Sequence, residues 1–211
     1  MTEATPRLAT DSESSGAREQ LIEAASQIMR EGDTIDLSLS ELSLRAGLNS
    51  ALVKYYFGNK EGLMLALLER DMAHIVDVLG TLVARDMDPE EKLRRHIGGV
   101  IDTYYAYPYL NRLLMRMIRD SAPAEAARIA ELYLKPIADD YDALIEQGVK
   151  AGKFRTVDPQ LFYFSVTGAA DRFYSARQVL KHCYNQDEVS EELRDRYREH
   201  TIELIMAGLL I

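Results

Sequence analysis

Between Ser38 and Lys60 the chain gathers side chains suited to holding and reading a polyanion. Asn49, Ser50 and Ala51 are small or polar, and Lys54, Tyr55, Tyr56 and Lys60 follow with cations and hydroxyl-tipped rings. Small side chains let a backbone come close to base edges, while lysines, serines and phenols donate to phosphate oxygens. Ser38 and Ser40 offer two more hydroxyls just upstream. The chemistry expected of such a set is reversible hydrogen bonding and charge neutralisation, with no covalent step.

Those residues must be presented by short, well-capped helices. The stretch SLSELSLRAGLNSALVKYYFGNKEGL, residues 38 to 63, has Ser38 as an N-cap and Glu41 three positions on, a capping box that starts a helix running to about Ala46. Gly47 supplies a turn, and Asn49 caps a second helix from Ser50 to about Tyr56. Gly58-Asn59 breaks the chain again and Lys60 opens a third helix, whose free N–H groups and ammonium suit a phosphate. Leu42, Leu48, Leu52 and Phe57 are read as the apolar stripe that holds this small unit together. Two short helices joined by a glycine turn, with a polar face at the start of the second, are the grammar of a DNA-reading helix-turn-helix.

The stretch resembles the tetracycline-repressor-like (TetR-like) family of transcriptional regulators. Ser38, Leu42, Ala46-Gly47-Leu48-Asn49, Tyr55-Tyr56-Phe57, Asn59-Lys60-Glu61 and Leu63 stand where the family pattern has a capped helix, Ala-Gly, a polar cap, a recognition helix ending in aromatics, and Ser-Lys-Glu with an apolar residue. The likeness covers about residues 17 to 67. Lys54 departs from it, standing where the family most often has Tyr, and Asn49 and Asn59 replace the commoner Ser. The resemblance implies a DNA-binding head, a body that takes a small-molecule effector, and a homodimer.

Composition alone does not point to nucleic acid. The chain has 211 residues and a net charge of −9, and residues 1 to 60 hold fewer basic than acidic side chains. A single head with so few cations should bind weakly and be strongly sensitive to salt, so a dimer is the expected binding unit. Two heads about 34–36 Å apart would meet successive major grooves of a near-palindromic operator. The lone Cys183 excludes an internal disulfide and fits a reducing cytoplasm, and no apolar run is long enough for a bilayer. Residues 1–16, rich in Ser, Thr and Glu, are expected to be a disordered tail, residues 17–62 the head, and residues 63–211 the body.

Beyond the head every signal is helical, giving an all-α fold of about nine helices. Leu63, Leu67, Leu68, Met72, Ile75, Val76, Leu79, Leu82 and Val83 repeat at helical spacing on the helix that Lys60 opens. Asp88-Pro89 and Asp158-Pro159 each read as an N-cap followed by a first-turn proline. Pro136 lies inside a long helix over about 124–151 and should bend it just upstream. A single helix is expected from Asp158 as far as a loop at Tyr184–Asp187, and a last one from Ser190 to the end.

The body's tyrosines exceed what packing alone requires, which suggests a ring-lined cavity. The effector set read from the sequence is Tyr104, Tyr105, Tyr109, Met117, Tyr133, Tyr141, Phe164 and Arg172, with Arg112, Asp171 and His74 at its edge. Small residues on the penultimate long helix and an apolar end to the last one suggest a self-pairing surface, and the resemblance implies a four-helix bundle there. The interface set is Phe162, Ser165, Gly168, Ala169, Tyr197, Thr201, Leu204, Ile205 and Leu209.

The function expected is a ligand-responsive regulator, most often a repressor by resemblance, released from its operator by an effector. A helical adaptor whose helix-turn-helix no longer binds DNA is the alternative that the acidic balance favours. An enzyme would need a constellation that the sequence does not display. His74, His96, His182 and His200 lack metal-ligand spacing, and there is no glycine-rich phosphate loop, so neither metal nor cofactor is expected.

Overall fold

The computed structural model describes residues 11–211 except Asp33, with side chains from residue 16 onward. Two compact units divide the chain between Glu69 and Arg70. The boundary falls within helix α4 (Lys60–Ala84), a few residues beyond the expected 62/63 division. No helix among the described residues is long and apolar enough to cross a membrane.

The first unit contains α1 (Asp11–Gly32), α2 (Leu39–Ala46), α3 (Ala51–Phe57) and the start of α4. Since α1 begins at Asp11, residues 11–16 of the expected disordered tail are helical, while residues 1–10 lie outside the described residues. Leu21, Ala25, Met29, Leu42, Val53, Leu63 and Leu67 form its apolar interior. Leu42 is buried as expected, but Val53 occupies the central position on α3, and Leu48, Leu52 and Phe57 are only half-buried. A seven-residue helix has one inward face, and Val53 falls on it.

The second unit continues α4 and adds α5 (Pro89–Ala106), α6 (Leu110–Asp120), α7 (Pro123–Ile129), α8 (Lys135–Lys150), α9 (Pro159–Ser175), α10 (Arg177–Tyr184) and α11 (Glu191–Leu209). Asp88 caps α5 by accepting from the N–H groups of Glu90 and Glu91, and Asp158 does the same for α9 through Gln160 and Leu161. Between α7 and α8 the residues Ala130–Leu134 form a π-helical turn. The expected disturbance upstream of Pro136 takes this form, because the proline supplies no N–H and its ring crowds the carbonyl of Leu132.

The helix expected from Asp158 is in fact two, α9 and α10, parted at Ala176 (φ −95°, ψ 30°). Neither glycine nor proline marks the break, which adds one helix to the sequence reading of this stretch. Leu93, Ile97, Tyr141, Leu144, Phe154, Phe162, Val166, Ile202, Met206 and Leu209 make the main body core. Lys92 is buried beside it, and its Nζ donates to the Val83 carbonyl and Gln147 Oε1, both at 2.7 Å, so its charge is shared between two oxygens.

Candidate nucleic-acid interface and effector cavity

Short side-chain caps set the geometry of the head. The Ser38 hydroxyl accepts from the Glu41 N–H at 3.5 Å, and Gly47 (φ 63°) turns the chain out of α2 in the left-handed region that glycine tolerates. Asn49 Oδ1 accepts from the Ala51 N–H at 2.8 Å, one residue earlier than the helix bounds place the cap, and so starts α3. Asn59 Oδ1 accepts from the Gly62 N–H at 2.8 Å at the start of α4. A Cβ on Gly62 would lie 2.0 Å from the Phe57 carbonyl oxygen, so the α3–α4 turn closes only over glycine.

These devices leave a set of side chains at the surface. Ser38, Ser40, Asn49, Ser50, Ala51, Lys54 and Tyr55 are all exposed, Tyr55 at 76%. Tyr56 is half-buried, with its ring edge-on to Tyr55 at 4.8 Å. Leu44, which sequence reasoning did not include, is 85% exposed on α2. Lys60 differs from expectation in one respect: it is half-buried and its Nζ donates to the Leu37 carbonyl at 3.2 Å. That bond uses one of three ammonium donors and leaves two. Arg45 holds Glu31 by two bonds of 2.8 and 2.7 Å, and Arg18 lies over the Phe57 ring at 5.3 Å. Two of the head's few cations are thus already engaged.

The body holds a partly open cavity of ≈ 200 Å³, with exposed Val78, Arg95 and Gly99 among its lining. Met72, Ile75, Val78 and Leu82 of α4 line it, facing Val100 and Tyr104 of α5. Leu114 of α6, Leu134 of the π turn, Tyr141 of α8 and Tyr163 of α9 complete most of the wall. Of the residues expected at the effector site, Tyr104 and Tyr141 reach the cavity, as does His74.

The other expected residues are used elsewhere. The Tyr109 hydroxyl is buried and donates to Asp71 Oδ2 at 2.7 Å, a structural bond. Tyr105 packs near Tyr174 and under the Arg194 guanidinium. Tyr133 is buried away from the lining, Met117 is half-buried outside it, and Phe164 (61%) and Arg172 are exposed on α9. Arg112 and Asp171 also lie outside the lining, although Asp171 accepts from Asn111, which belongs to it.

His96 was missed and stands inside the cavity wall, its ring edge-on to Tyr141 at 4.6 Å. Burial pulls its imidazole down to about 4, so the ring is neutral at pH 7. Burial likewise pushes the Tyr104, Tyr141 and Tyr163 phenols up. The signal available in the sequence was position: His96 directly precedes Ile97 on the inner face of α5.

On α9 and α11 the expected interface set separates by burial. Phe162, Thr201 and Leu209 are buried within the subunit and have no face left for a partner. Tyr197 donates to the Ala169 carbonyl at 2.8 Å and stacks on Phe173 at 3.7 Å, so both residues of that bond dock α11 internally. Ile205 is half-buried. Ser165, Gly168 and Leu204 are exposed, and so are Leu161 and Phe164 at positions that place them on the same face of α9 as Ser165 and Gly168.

Residues 21–67 match the family described as bacterial regulatory proteins, tetR family, and residues 86–211 match the tetracyclin repressor-like C-terminal domain. The chain belongs to the TetR family. Among its curated relatives, the HTH-type transcriptional regulator BetI 1 of Chromohalobacter salexigens is 32% identical over 100 residues, 47% of this chain and 48% of that one. RutR of Escherichia coli is 28% identical over 138 residues, 64% of this chain and 63% of RutR. The match therefore spans about half of one relative and somewhat under two thirds of the other. The fatty acid degradation regulator FadR from Bacillus halodurans shares the TetR fold at a TM-score of 0.67, with 21% identity over 96% of this chain and 98% of that one. A TetR-family regulator from Marinobacter aquaeolei superposes at 0.65 with 19% identity, covering 95% and 99%.

Proposed function

We propose that this TetR-family chain is a homodimeric, ligand-responsive transcriptional regulator that binds a near-palindromic DNA operator and releases it when a small molecule occupies the body. The observation that carries the reading is the exposed face of α3, where Asn49, Ser50, Ala51, Lys54 and Tyr55 stand clear of the head's core. Small residues at its start admit a base edge, and Lys54 and Tyr55 supply donors farther along. The family relatives bear the name of transcriptional regulators, which favours this role over the adaptor and over an enzyme. A regulator of this kind acts in the cytoplasm, on chromosomal DNA.

The acidic balance of the chain explains why a dimer is needed, since the electrostatic attraction of one head is small. Leu161, Phe164, Ser165 and Gly168 of α9, with Leu204 of α11, are the surface through which we pair two copies. The link to the effector is α4, which begins at the head with Lys60 and supplies Met72 to Leu82 to the cavity wall. Effector and DNA then favour different settings of the same helix, and each weakens the other by one factor, about 5- to 150-fold for a coupling of about 1–3 kcal/mol.

Selection of duplexes from a random pool, followed by gel shifts of the best sequence across a salt series, tests this reading. Sequence-selective binding by a dimer, falling steeply with salt, is expected. Binding that is absent, or no stronger on selected than on random duplex, overturns it. Sedimentation of the Phe164→Asp, Leu204→Asp double variant should give a monomer, and a dimer of undiminished stability would rule out the α9/α11 surface.

A further inference from the structure

Two buried polar atoms in the cavity wall lack a protein hydrogen-bond partner: His96 Nε2 and the Tyr141 hydroxyl. His96 is 7% exposed and Tyr141 1%, and the two rings meet edge to face at 4.6 Å. Tyr163 joins the same group, its ring 5.1 Å from that of Tyr141. A buried hydroxyl or ring nitrogen left unbonded is costly, and neighbours of this kind on a cavity wall mark where a ligand's polar atom belongs.

The rest of the wall is largely apolar in surface, although Thr103, Asn111 and Thr167 belong to it as neutral polar groups, which favours a ligand with little other polarity. Its size is limited too. A cavity of about 150 Å³ holds benzene, and this one measures ≈ 200 Å³. We infer that the cavity takes an uncharged molecule of single-ring size carrying one hydroxyl group, bound to both His96 Nε2 and the Tyr141 hydroxyl. The inference rests on the effector reading above and gives that effector a chemical class.

Several features select a hydroxyl and exclude charge. Neutral imidazole offers one accepting and one donating nitrogen, and a hydroxyl satisfies either while also accepting from Tyr141. An anion would meet neutral His96 and neutral phenols, with the Asp171 carboxylate close enough to Tyr104 to help push its phenol up. A cation would have to shed its water against a largely apolar wall that holds no carboxylate among the lining residues. Arg95, the cationic lining residue, is exposed and bound to Glu91.

The test compares four probes of nearly equal size on the full-length dimer without DNA: 4-methylphenol, toluene, benzoate and benzylammonium, titrated by calorimetry. 4-Methylphenol should bind about fivefold or more tightly than toluene, the size of one or two buried hydrogen bonds. Benzoate and benzylammonium should bind more weakly than either. Tyr141→Phe keeps the ring and removes only the oxygen, so it should erase most of the preference for 4-methylphenol and leave toluene unchanged. The ¹⁵N shift of His96 Nε2 should move with 4-methylphenol and stay put with toluene. Equal affinity for the two neutral probes, preference for a charged one, or no binding at millimolar concentration overturns the inference. Operator release is scored separately by gel shift: 4-methylphenol that binds without releasing DNA leaves the cavity chemistry standing and removes the effector reading.

Discussion

The head and the body solve opposite problems with the same helices. In the head, polar groups are spent on short local caps, Ser38 on Glu41, Asn49 on Ala51 and Asn59 on Gly62, so that a row of side chains is left free at the surface. In the body, polar groups such as His96 and Tyr141 are buried and left without protein partners around a cavity. A surface that meets DNA needs rigid positioning and free donors outside, whereas a pocket needs unmet hydrogen bonds inside. Local order and distant assembly therefore leave different marks, and perturbing each should produce different losses.

The largest effect is expected at Gly62. A methyl group there would sit 2.0 Å from the Phe57 carbonyl oxygen, and the obstacle is backbone, which cannot swing aside as a side-chain end could. Gly62→Ala should cost about 3 kcal/mol, the upper end of what overpacking an interior typically costs. The loss should be confined to one region. Amide exchange across α2 and α3 should accelerate while α8 and α9 keep their protection, and equal acceleration in both would show that the head has no independent stability to lose.

Acid should strike the body first. His96 is pulled down to about 4 in the fold and returns to an ordinary histidine value near 6.5 when unfolded. Between those values the unfolded chain binds a proton that the native chain refuses, so this group's contribution is complete above about pH 6.5 and is lost as pH falls toward 4. The full difference is about 3 kcal/mol. His96→Gln should flatten the pH dependence of thermal stability between pH 6.5 and 4. An unchanged slope would mean that the imidazole titrates alike in the folded and unfolded chain.

The contrast also explains what the sequence could and could not disclose. Head positions follow from caps and turns within a few residues of one another, so Ser38, Gly47, Asn49 and Gly58 mark the helix bounds to within one residue. The proline-led starts of α5 and α9 are equally local. The cavity is different, because its wall takes residues from α4, α5, α6, α8 and α9 and no short window holds them together. Counting tyrosines found Tyr104 and Tyr141 but could not separate them from Tyr109, whose hydroxyl is consumed by Asp71 nearly forty positions upstream. Burial on α9 and α11 was equally hidden. Apolar Phe162 and Leu209 face the subunit's own core, while apolar Phe164 and Leu204 face outward, and residue type does not distinguish them.

Smaller losses should fall on DNA recognition. Lys54 is exposed on α3 and should help choose bases, so Lys54→Ala should change the preferred sequence at one position by about 1–3 kcal/mol. Lys60→Ala should weaken all sequences alike and lower the salt slope by about one. The Lys60 bond to the Leu37 carbonyl makes this a discriminating case. If the slope does not move while the head loses stability, Lys60 serves as an internal brace and the phosphate contact belongs elsewhere.

The smallest effect, at Asn49, tests whether local caps matter for function beyond stability. Asn49 Oδ1 holds the Ala51 N–H at 2.8 Å, and its loss should cost about 1 kcal/mol as an ordinary N-cap. Asn59 makes the matching bond to Gly62, also at 2.8 Å, and its removal should cost the same in stability. The two should part in DNA binding. Asn49 starts the helix that carries Ser50, Ala51, Lys54 and Tyr55, so Asn49→Ala should loosen their alignment and reduce operator affinity by more than the cap energy alone. Asn59→Ala frays the beginning of α4, where Lys60 retains its own anchor on Leu37, and should reduce affinity by less. Gel shifts of both variants at matched stability decide the matter, and equal losses would mean that α3 is held in place by its packing through Val53 and owes little to its cap.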